Sequence, residues 1–356
     1  MDDEGLGSWL ARVAAGYCVS VQALLAHQGI QRSGIRCGNW LALQELAPAD
    51  MLILARALRR PTIMLADMAT SPWNLSKTAE IGMCATCVLQ AREEGDPIYW
   101  QRAWLDSVTT VCAKHGTWLT PVEARRFIQA LNWHGPDEIV AGIAHTAAST
   151  GTGHIEWPSP ISAVTSAMRL QSLFTSSCTD EAADSDRYGM ASLVQARLVA
   201  LDLLDMLLAA DCATGRSLLF EFAALLDIPI ALNSISISAR LGQTIRIRHV
   251  KKLGARCFAT TIADHLMCGS MPDTGHAGST RLRFDPRFLR THWLWPLIPQ
   301  PSLDLLVQRA KNWPRGYVRS CWPELENIDR TPVLHRRRKL IAAHRGHENL
   351  GKAIVN

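Results

Sequence analysis

Apolar residues in the first part of the chain recur at the three- and four-residue intervals of an amphipathic helix. Residues 8–31 predict two short helices, the first with Trp9 on its apolar face and the second begun by Ser20 as N-cap. A further helix is predicted to start at Pro48 and to stop before Pro61. The first two helices resemble a helix-turn-helix, which either presents its second helix to a DNA groove or acts only as a scaffold for partner docking.

Helical spacing returns in the middle of the chain and gives way to an alternating pattern near the end. Residues 188–226 are strongly apolar at helical spacing and predict a buried helical hairpin that breaks near Gly215. Within residues 229–263, Ile245 and Ile247 alternate with basic residues, as in a short strand. The chain is therefore predicted to be mainly helical, with a few short strands.

Two pairs of potential metal ligands lie between these regions. Two residues separate the members of each pair, which lets a tight turn point both side chains at one ion, and the pairs follow the order of a zinc ribbon or finger. We predict one structural Zn2+ with four ligands, Cys84, Cys87, Cys112 and His115. Aromatic side chains between the pairs are predicted to pack against the site, namely Tyr99, Trp100 and Trp104. The alternative is four ordinary buried residues, since a free Cys is often a small core hydrophobe.

The net charge of +5 hides an asymmetry between the two parts of the chain. Residues 1–228 contain 16 Lys and Arg against 24 Asp and Glu, whereas residues 229–356 contain 21 against 8. A part this basic is typical of a surface that meets phosphates. We predict nucleic-acid contacts from one basic cluster, Arg240, Arg246, Arg248, Lys251, Lys252 and Arg256. The alternative is a solvated basic surface that binds nothing specific.

Basic and aromatic residues also alternate further along the chain. The residues concerned are Trp313, Arg315, Tyr317, Arg319 and Trp322. Such an alternation suits phosphate contact combined with base stacking. It equally suits an ordinary core from which arginine side chains reach the solvent.

These features divide the chain into four expected modules, with a polar linker just before Pro160. The modules are an N-terminal helix-turn-helix-like module at 1–75, a zinc-finger module at 76–122, a helical linker or core module at 123–228, and a basic C-terminal region at 229–356 for nucleic acid or an effector. The predicted fold class is mainly α and multidomain. It combines N-terminal helices, a small zinc ribbon or finger, and a helical C-terminal region with short strands.

The phrases around the potential ligands are specific enough to indicate a family. Tyr99-Trp100-Gln101-Arg102-Ala103-Trp104, followed by a hydrophobic strand into Cys112-Ala113-Lys114-His115-Gly116, resembles the TniQ family of transposon target-selection proteins, which includes TnsD. Ser8-Trp9-Leu10-Ala11-Arg12 is similar to the N-terminal SWLxR phrase of that family. The resemblance covers about the first 130 residues. The usual CPxC pair lacks its Pro here, where Ala85 and Thr86 stand between the cysteines, and a second zinc motif found in many members has no counterpart.

This resemblance implies a non-catalytic targeting adaptor in DNA transposition. Members of the family join recognition of a target, by direct DNA binding or through an RNA-guided CRISPR effector, to an AAA+ regulator of the TnsC or TniB type. The resemblance therefore implies that ATPase and DNA as partners. It also allows a CRISPR effector with its guide RNA, as the alternative to direct site binding, and a homodimer. The sequence has no Walker-type phosphate loop of its own.

An enzyme is not predicted from the sequence. His154 and Glu156 form the HxE of a zinc deaminase, but Cys84 and Cys87 precede it, whereas that chemistry requires a cysteine pair downstream. GxSxG and HExxH motifs are absent from the sequence. The alternative function is a zinc-containing helix-turn-helix transcriptional regulator, which binds a specific DNA sequence tightly without partner proteins.

The bacterial cytoplasm is the expected location of the protein. The ten cysteines are scattered apart from one CxxC pair, which argues against a disulfide framework. The opening residues 1–4 lack the basic and apolar regions of a secretory signal. The most apolar stretch, 198–232, carries five acidic residues, so no membrane span is expected.

Overall fold

The protein is described by a computed structural model. The described residues are 3–30, 46–69, 80–122, 160–175, 190, 192–208, 217–225, 247, 250, 252–268, 294, 298 and 300–326. They are mostly helical with a few short strands, and the predicted mainly α fold class is confirmed. Of the strand expected at Ile245 and Ile247, only Ile247 is among the described residues, where it is buried and not in a strand; the linker expected just before Pro160 lies outside them. The division into four modules stays a prediction.

The elements of the N-terminal part are α1 Leu6–Gly16, α2 Val21–His27, α3 Pro48–Ala57, α4 Thr62–Ala69, β1 Ile81–Met83, α5 Ala85–Glu94, a 3-10 helix at Arg102–Leu105, and β2 Thr120–Val122. Those of the later part are α6 Pro160–Thr175, α7 Leu193–Leu208, α8 Leu218–Leu225, α9 Leu253–Met267, α10 Gln300–Ala310, α11 Arg315–Cys321 and α12 Pro323–Glu326. The chain forms two compact units. The first comprises Met1–His154 with Arg248–Arg256, and the second Ile155–Ile247 with Cys257–Asn356.

The first two helices form where the sequence predicts them. The hydroxyl of Ser20 accepts a hydrogen bond from the backbone N–H of Ala23 at 3.1 Å and caps α2. Leu6, Leu10 and Ala14 recur every four residues and form the buried face of α1. The two helices are bent by 86° relative to each other, close to the angle of a helix-turn-helix. DNA contact by α2 stays a prediction.

The two strands of the first unit pair antiparallel over three residues. Ile81 lies opposite Val122, and Met83 lies opposite Thr120. All four of these side chains are buried. The pairing brings together the beginning and the end of the segment that carries the four potential metal ligands.

Gly82 lies at the centre of this strand pair and has no room for a side chain. A Cβ atom placed there would lie 2.7 Å from Cβ of Leu119 and 3.2 Å from Cδ2 of Leu253. The first distance is shorter than any contact that Cβ atoms normally make in proteins. The atom it would meet is attached to the backbone, so it cannot move aside easily. Glycine therefore allows the strand to pack directly against these two leucines.

Glu80, just before β1, binds the start of α9 within the first unit. Its carboxylate accepts hydrogen bonds from Nζ of Lys252 at 2.6 Å and from the backbone N–H of Leu253 at 3.0 Å. A carboxylate at this place accepts a hydrogen bond from an N–H group in the first turn of the helix. Its negative charge also interacts favourably with the positive N-terminal end of the helix dipole. The carbonyl of Glu80 also accepts a hydrogen bond from the guanidinium of Arg256.

An aromatic cluster forms part of the core of the second unit. The rings of Trp313 and Trp322 meet edge to face at a centroid distance of 5.6 Å, and those of Trp313 and Tyr317 do so at 6.0 Å. Tyr317 donates its hydroxyl hydrogen to the carbonyl of Met267, and the indole N–H of Trp322 donates to the Tyr317 oxygen. The packing explanation for these aromatic residues is confirmed, because all three are buried.

A buried polar cluster joins α6 to α9 in the same unit. Arg169 binds Asp264 at 2.6 Å, and Ser166 lies 3.4 Å from Nε2 of His265. Burial, with a further contribution from the charge of Arg169, lowers the pKa of His265 to about 4. His265 is therefore neutral in the folded protein near pH 7.

Taken one at a time, the described helices are too short or too polar to cross a membrane. The bent pair α1 and α2 meets the length and hydropathy criteria only when its two helices are counted together.

Candidate metal centre

The four predicted ligands are positioned by a helix start and by a tight turn. Cys84 follows β1 and is the N-cap of α5, so Cys87 lies in the first turn of that helix. Cys112 exchanges backbone hydrogen bonds with the following loop: its N–H donates to the carbonyl of Thr117, and its carbonyl accepts from the N–H of Gly116, both at 2.8 Å. Gly116 has a φ of +61°, a backbone conformation that glycine adopts without steric cost.

These elements bring the ligand atoms of Cys84, Cys87, Cys112 and His115 within 4.8 Å of one another. Nδ1 of the histidine lies 3.4, 3.3 and 3.6 Å from the three sulfurs, and two of the sulfurs are 3.7 Å apart. A tetrahedral ion with metal–sulfur bonds of about 2.3 Å and a metal–nitrogen bond of about 2.0 Å requires separations of about 3.8 Å between sulfurs and about 3.5 Å from sulfur to nitrogen. The arrangement therefore fits a tetrahedral metal ion.

Hydrogen bonds among the thiols perturb their acidity. The pKa of Cys84 is lowered to about 4, chiefly because Cys112 donates its S–H to the Cys84 sulfur. Burial raises the pKa of Cys87 to about 11, and the charge on Cys84 adds to that effect. The donated hydrogen bond to Cys84 is also the main reason why the pKa of Cys112 is raised. Metal ions bind the thiolate form of cysteine, so binding of a metal would displace the protons that the thiols hold.

Further donors surround the sulfur atoms. The backbone N–H of Cys87 donates to Sγ of Cys84 at 3.5 Å, and the hydroxyl of Thr117 lies 3.8 Å from the same sulfur. The side-chain amide of Gln101 donates to Sγ of Cys87 at 3.9 Å. Donors of this kind orient the ligands and stabilise the thiolate form that binds a metal.

The predicted packing residues occupy different positions around the cluster. Trp100 and Trp104 are buried and meet edge to face at 6.2 Å, so they supply apolar packing in the module. Tyr99 is half-buried and donates its hydroxyl hydrogen to Asp3 at 2.8 Å. Its polar end therefore binds the N-terminal segment.

α1 is joined to this module by contacts that the sequence did not predict. Glu4 is fully buried and accepts hydrogen bonds from Ser8 at 3.0 Å and from Nε of Arg12 at 2.7 Å. The Ser8 hydroxyl in turn accepts the backbone N–H of Trp100 at 3.0 Å. Glu4 also forms an isolated antiparallel bridge with Gln101. Ser8 and Arg12 lie one turn apart on the same face of α1, which was the available signal.

The structure describes two of the six predicted nucleic-acid residues. Lys252 is exposed but ion-paired with Glu80. Arg256 is completely buried and offers no surface to a phosphate, so its assignment is corrected to a structural contact with Glu80. The other four lie outside the described residues, namely Arg240, Arg246, Arg248 and Lys251. Their contact with nucleic acid stays a prediction.

Comparison with known proteins agrees with the sequence resemblance. No curated protein and no solved structure matches the chain. The family model TniQ matches residues 1–119. The matched region contains α1 to α4, the polar network of Glu4, and all four members of the cysteine–histidine cluster. The N-terminal third of the chain is therefore similar to the TniQ family, in agreement with the resemblance to transposition-associated targeting proteins.

Proposed function

We propose that the protein is a non-catalytic targeting adaptor of a DNA transposition system. It links recognition of a target site to an AAA+ transposition regulator of the TnsC or TniB type. The observation that carries this proposal is the TniQ match over residues 1–119, whose C-terminal part contains the complete cluster of four ligands.

We further propose that the cluster holds one Zn2+ in a structural role. Three thiolates and one imidazole are a common ligand set of structural zinc sites, and four protein ligands leave no open position for a substrate or water. The ion would hold α5 to the turn that contains Cys112 and His115. The ion would then also fix the residues between these elements, which contact Glu4 through a β-bridge and Ser8 through a hydrogen bond.

The partners belong to the same proposal. The family resemblance supports an AAA+ ATPase and DNA as partners, and it allows either direct site binding or a CRISPR effector with guide RNA as the source of specificity. A homodimer also follows from the resemblance. The basic C-terminal region, with 21 basic against 8 acidic residues over 229–356, supports contact with nucleic acid.

Purification of the tagged full-length protein from its own host tests this function. We expect an AAA+ ATPase and transposase subunits to co-purify at moderate salt, and C112S to lose them together with its metal because the TniQ domain unfolds. C18S is the matched control, since Cys18 is exposed and outside the cluster. Recovery of DNA without an ATPase would overturn the adaptor role and favour a transcriptional regulator.

A further inference from the structure

The α3–α4 corner, residues 51–66 of the first unit, carries exposed aliphatic side chains. Leu52 and Ile53 on the outer face of α3 are 42% and 40% exposed, and Ile63 at the start of α4 is 73% exposed. They are three of the seven large hydrophobic side chains that are exposed in the described part of the chain, and they lie within 12 residues of sequence. Single exposed apolar residues are ordinary, whereas a concentration of them marks an interaction surface.

Three arginines lie at the same corner. Arg56 is one helical turn after Leu52 on the outer face of α3, so the two side chains are neighbours. Arg59 and Arg60 follow directly after the C-cap of that helix. All three arginines are exposed, and none of their guanidinium groups binds another described residue. Within the described part of the chain, their charges are therefore available to a ligand.

No acidic side chain is built into the corner. Residues 51–66 contain these three arginines, no lysine and no Asp or Glu. The flanking acidic residues are at the far ends of the two helices, Asp50 in the first turn of α3 and Asp67 in the last turn of α4. Asp50 is about 9 Å from Arg56 along the axis of α3. The corner is therefore electropositive and attracts negative charge.

The inner face of α3 fixes this surface in place. Met51, Leu54 and Ala55 are buried, and α3 packs against α4. The backbone N–H of Arg60 donates to the carbonyl of Ala55 at 2.9 Å and closes the end of the helix. Side chains on a rigid element lose less conformational freedom on binding than those on a loose segment.

The combination of aliphatic and arginine side chains fits a protein partner better than a nucleic acid. A phosphate backbone pairs with guanidinium groups, but it presents mainly charged and polar groups to the aliphatic side chains beside them. Protein interfaces are enriched in arginine, depleted in lysine, and combine apolar contacts with charge pairs. An amphipathic segment that carries carboxylates beside its apolar residues complements both the charge and the apolar surface of the corner.

We infer that the α3–α4 corner binds an acidic amphipathic segment of a partner protein. Carboxylates of the segment pair with the three arginines, and its apolar side chains cover the three aliphatic residues. This role goes beyond the proposed function, which specifies neither a surface of the first unit nor the chemistry of the segment that the surface binds.

Fluorescence anisotropy of a labelled synthetic peptide tests this binding on the full-length protein. The probe is a helical peptide of about 15 residues with leucine along one face and glutamate on the other. One control peptide has glutamine in place of every glutamate, and a second has serine in place of every leucine. We expect saturable binding of the probe with a Kd below about 1 mM, and binding of each control that is weaker by about tenfold or more.

Arg59 provides a variant in which weaker binding cannot result from unfolding. Its φ is +52°, in the left-handed region where glycine is favoured after a helix, so R59G should be at least as stable as the unaltered protein. We expect R59G and R56Q each to weaken binding of the probe by roughly threefold to tenfold. R315Q removes one charge from an exposed arginine of the second unit and should leave binding unchanged. Thermal melting establishes that each variant is folded.

A second pair of variants tests the apolar part of the surface. I63S should weaken binding of the probe by roughly tenfold, because an aliphatic side chain that the peptide would cover is lost. V194S alters an aliphatic side chain that is 58% exposed in the second unit and should leave binding unchanged. Both positions are exposed, so neither variant should lose stability appreciably.

Failure of the probe to bind, or equal binding by the unaltered protein, R59G and I63S, would overturn the inference. Equal binding of the leucine-free peptide would show that the corner is only a solvated basic surface. Tighter binding of a DNA duplex that R59G weakens would assign the corner to nucleic acid instead. Loss of a dimer in R59G, measured by sedimentation velocity, would assign it to a second copy of the chain. None of these results bears on co-purification of the AAA+ ATPase, so the adaptor role and this inference can fail separately.

Discussion

The hydroxyl of Ser8 accepts the backbone N–H of Trp100 at 3.0 Å, across 92 residues of chain. The backbone N–H of Gly5 donates to the carbonyl of the same tryptophan at 2.9 Å. These bonds join the start of α1 to the module that carries the metal ligands. The two sequence phrases that indicate the family, residues 8–12 and 99–104, are thus in direct contact. Hydrogen bonds between the two segments satisfy buried polar groups on both sides.

Replacing Arg12 tests the polar network at this contact. R12A leaves the carboxylate of Glu4 fully buried with Ser8 as its remaining side-chain donor. We expect a loss of roughly 3 kcal/mol in the free energy of unfolding, because a buried charge without its partner is costly. Urea denaturation followed by circular dichroism measures it. The double variant E4Q/R12M removes both charges and should recover most of the loss; equal destabilisation of the two variants would refute this explanation.

Removal of one metal ligand should unfold the module. The apparent binding energy of a structural zinc is on the order of 10 kcal/mol, comparable with the total stability of a domain. C84S should therefore lose one equivalent of metal and the thermal transition of the TniQ domain. Elemental analysis and calorimetry check both quantities. C18S, at an exposed position outside the cluster, should retain both; retention of metal by C84S would disprove the assigned ligand set.

Gly82 and Gly16 provide a matched pair of glycine substitutions. G82A places a Cβ atom 2.7 Å from Cβ of Leu119, and we expect a loss of about 1 to 3 kcal/mol from the forced shift. G16A meets nothing within 4 Å in the last turn of α1 and should be neutral or stabilising by up to about 1 kcal/mol. Chemical denaturation of both variants compares them. Equal effects would show that the packing of β1 does not require glycine.

The pH dependence of stability should reveal His265. Its pKa is about 4 in the folded protein and 6.5 in its ordinary state, so protonation favours the unfolded chain. Its contribution is complete above pH 6.5 and is lost as pH falls towards 4, by about 3 kcal/mol in total. H265Q removes the titration. The stability difference between the unaltered protein and H265Q should shift in favour of H265Q over this pH interval; a constant difference would contradict the prediction.

The ligand cluster was predictable because local spacing carries its geometry. Two residues between Cys84 and Cys87 match the first turn of a helix, and Gly116 follows His115 where the backbone needs a positive φ. The N-cap role of Ser20 was predictable for the same reason. Within each ligand pair and at the helix cap, the relevant atoms are separated by only a few residues, so sequence order determines their proximity.

The burial of Arg256 could not be predicted from local spacing. Its basic neighbours suggest an exposed surface, yet its guanidinium is buried against the carbonyl of Glu80, 176 residues earlier in the chain. Composition could not distinguish these outcomes, because an arginine can serve a solvent surface or a buried carbonyl equally well. Trp313 and Trp322 posed the same difficulty, and their rings pack in the core instead of remaining available for base stacking.

The contact of Glu80 with Lys252 and Leu253 limits how the first unit can be transferred to another protein. A chimera that contains only residues 1–122 of this chain would lack Leu253. Glu80 would lose the helix N–H that it binds, and Gly82 would lose one of the two leucines that pack against it. A transplantable form of the first unit therefore has two pieces, the N-terminal region and Arg248–Arg256.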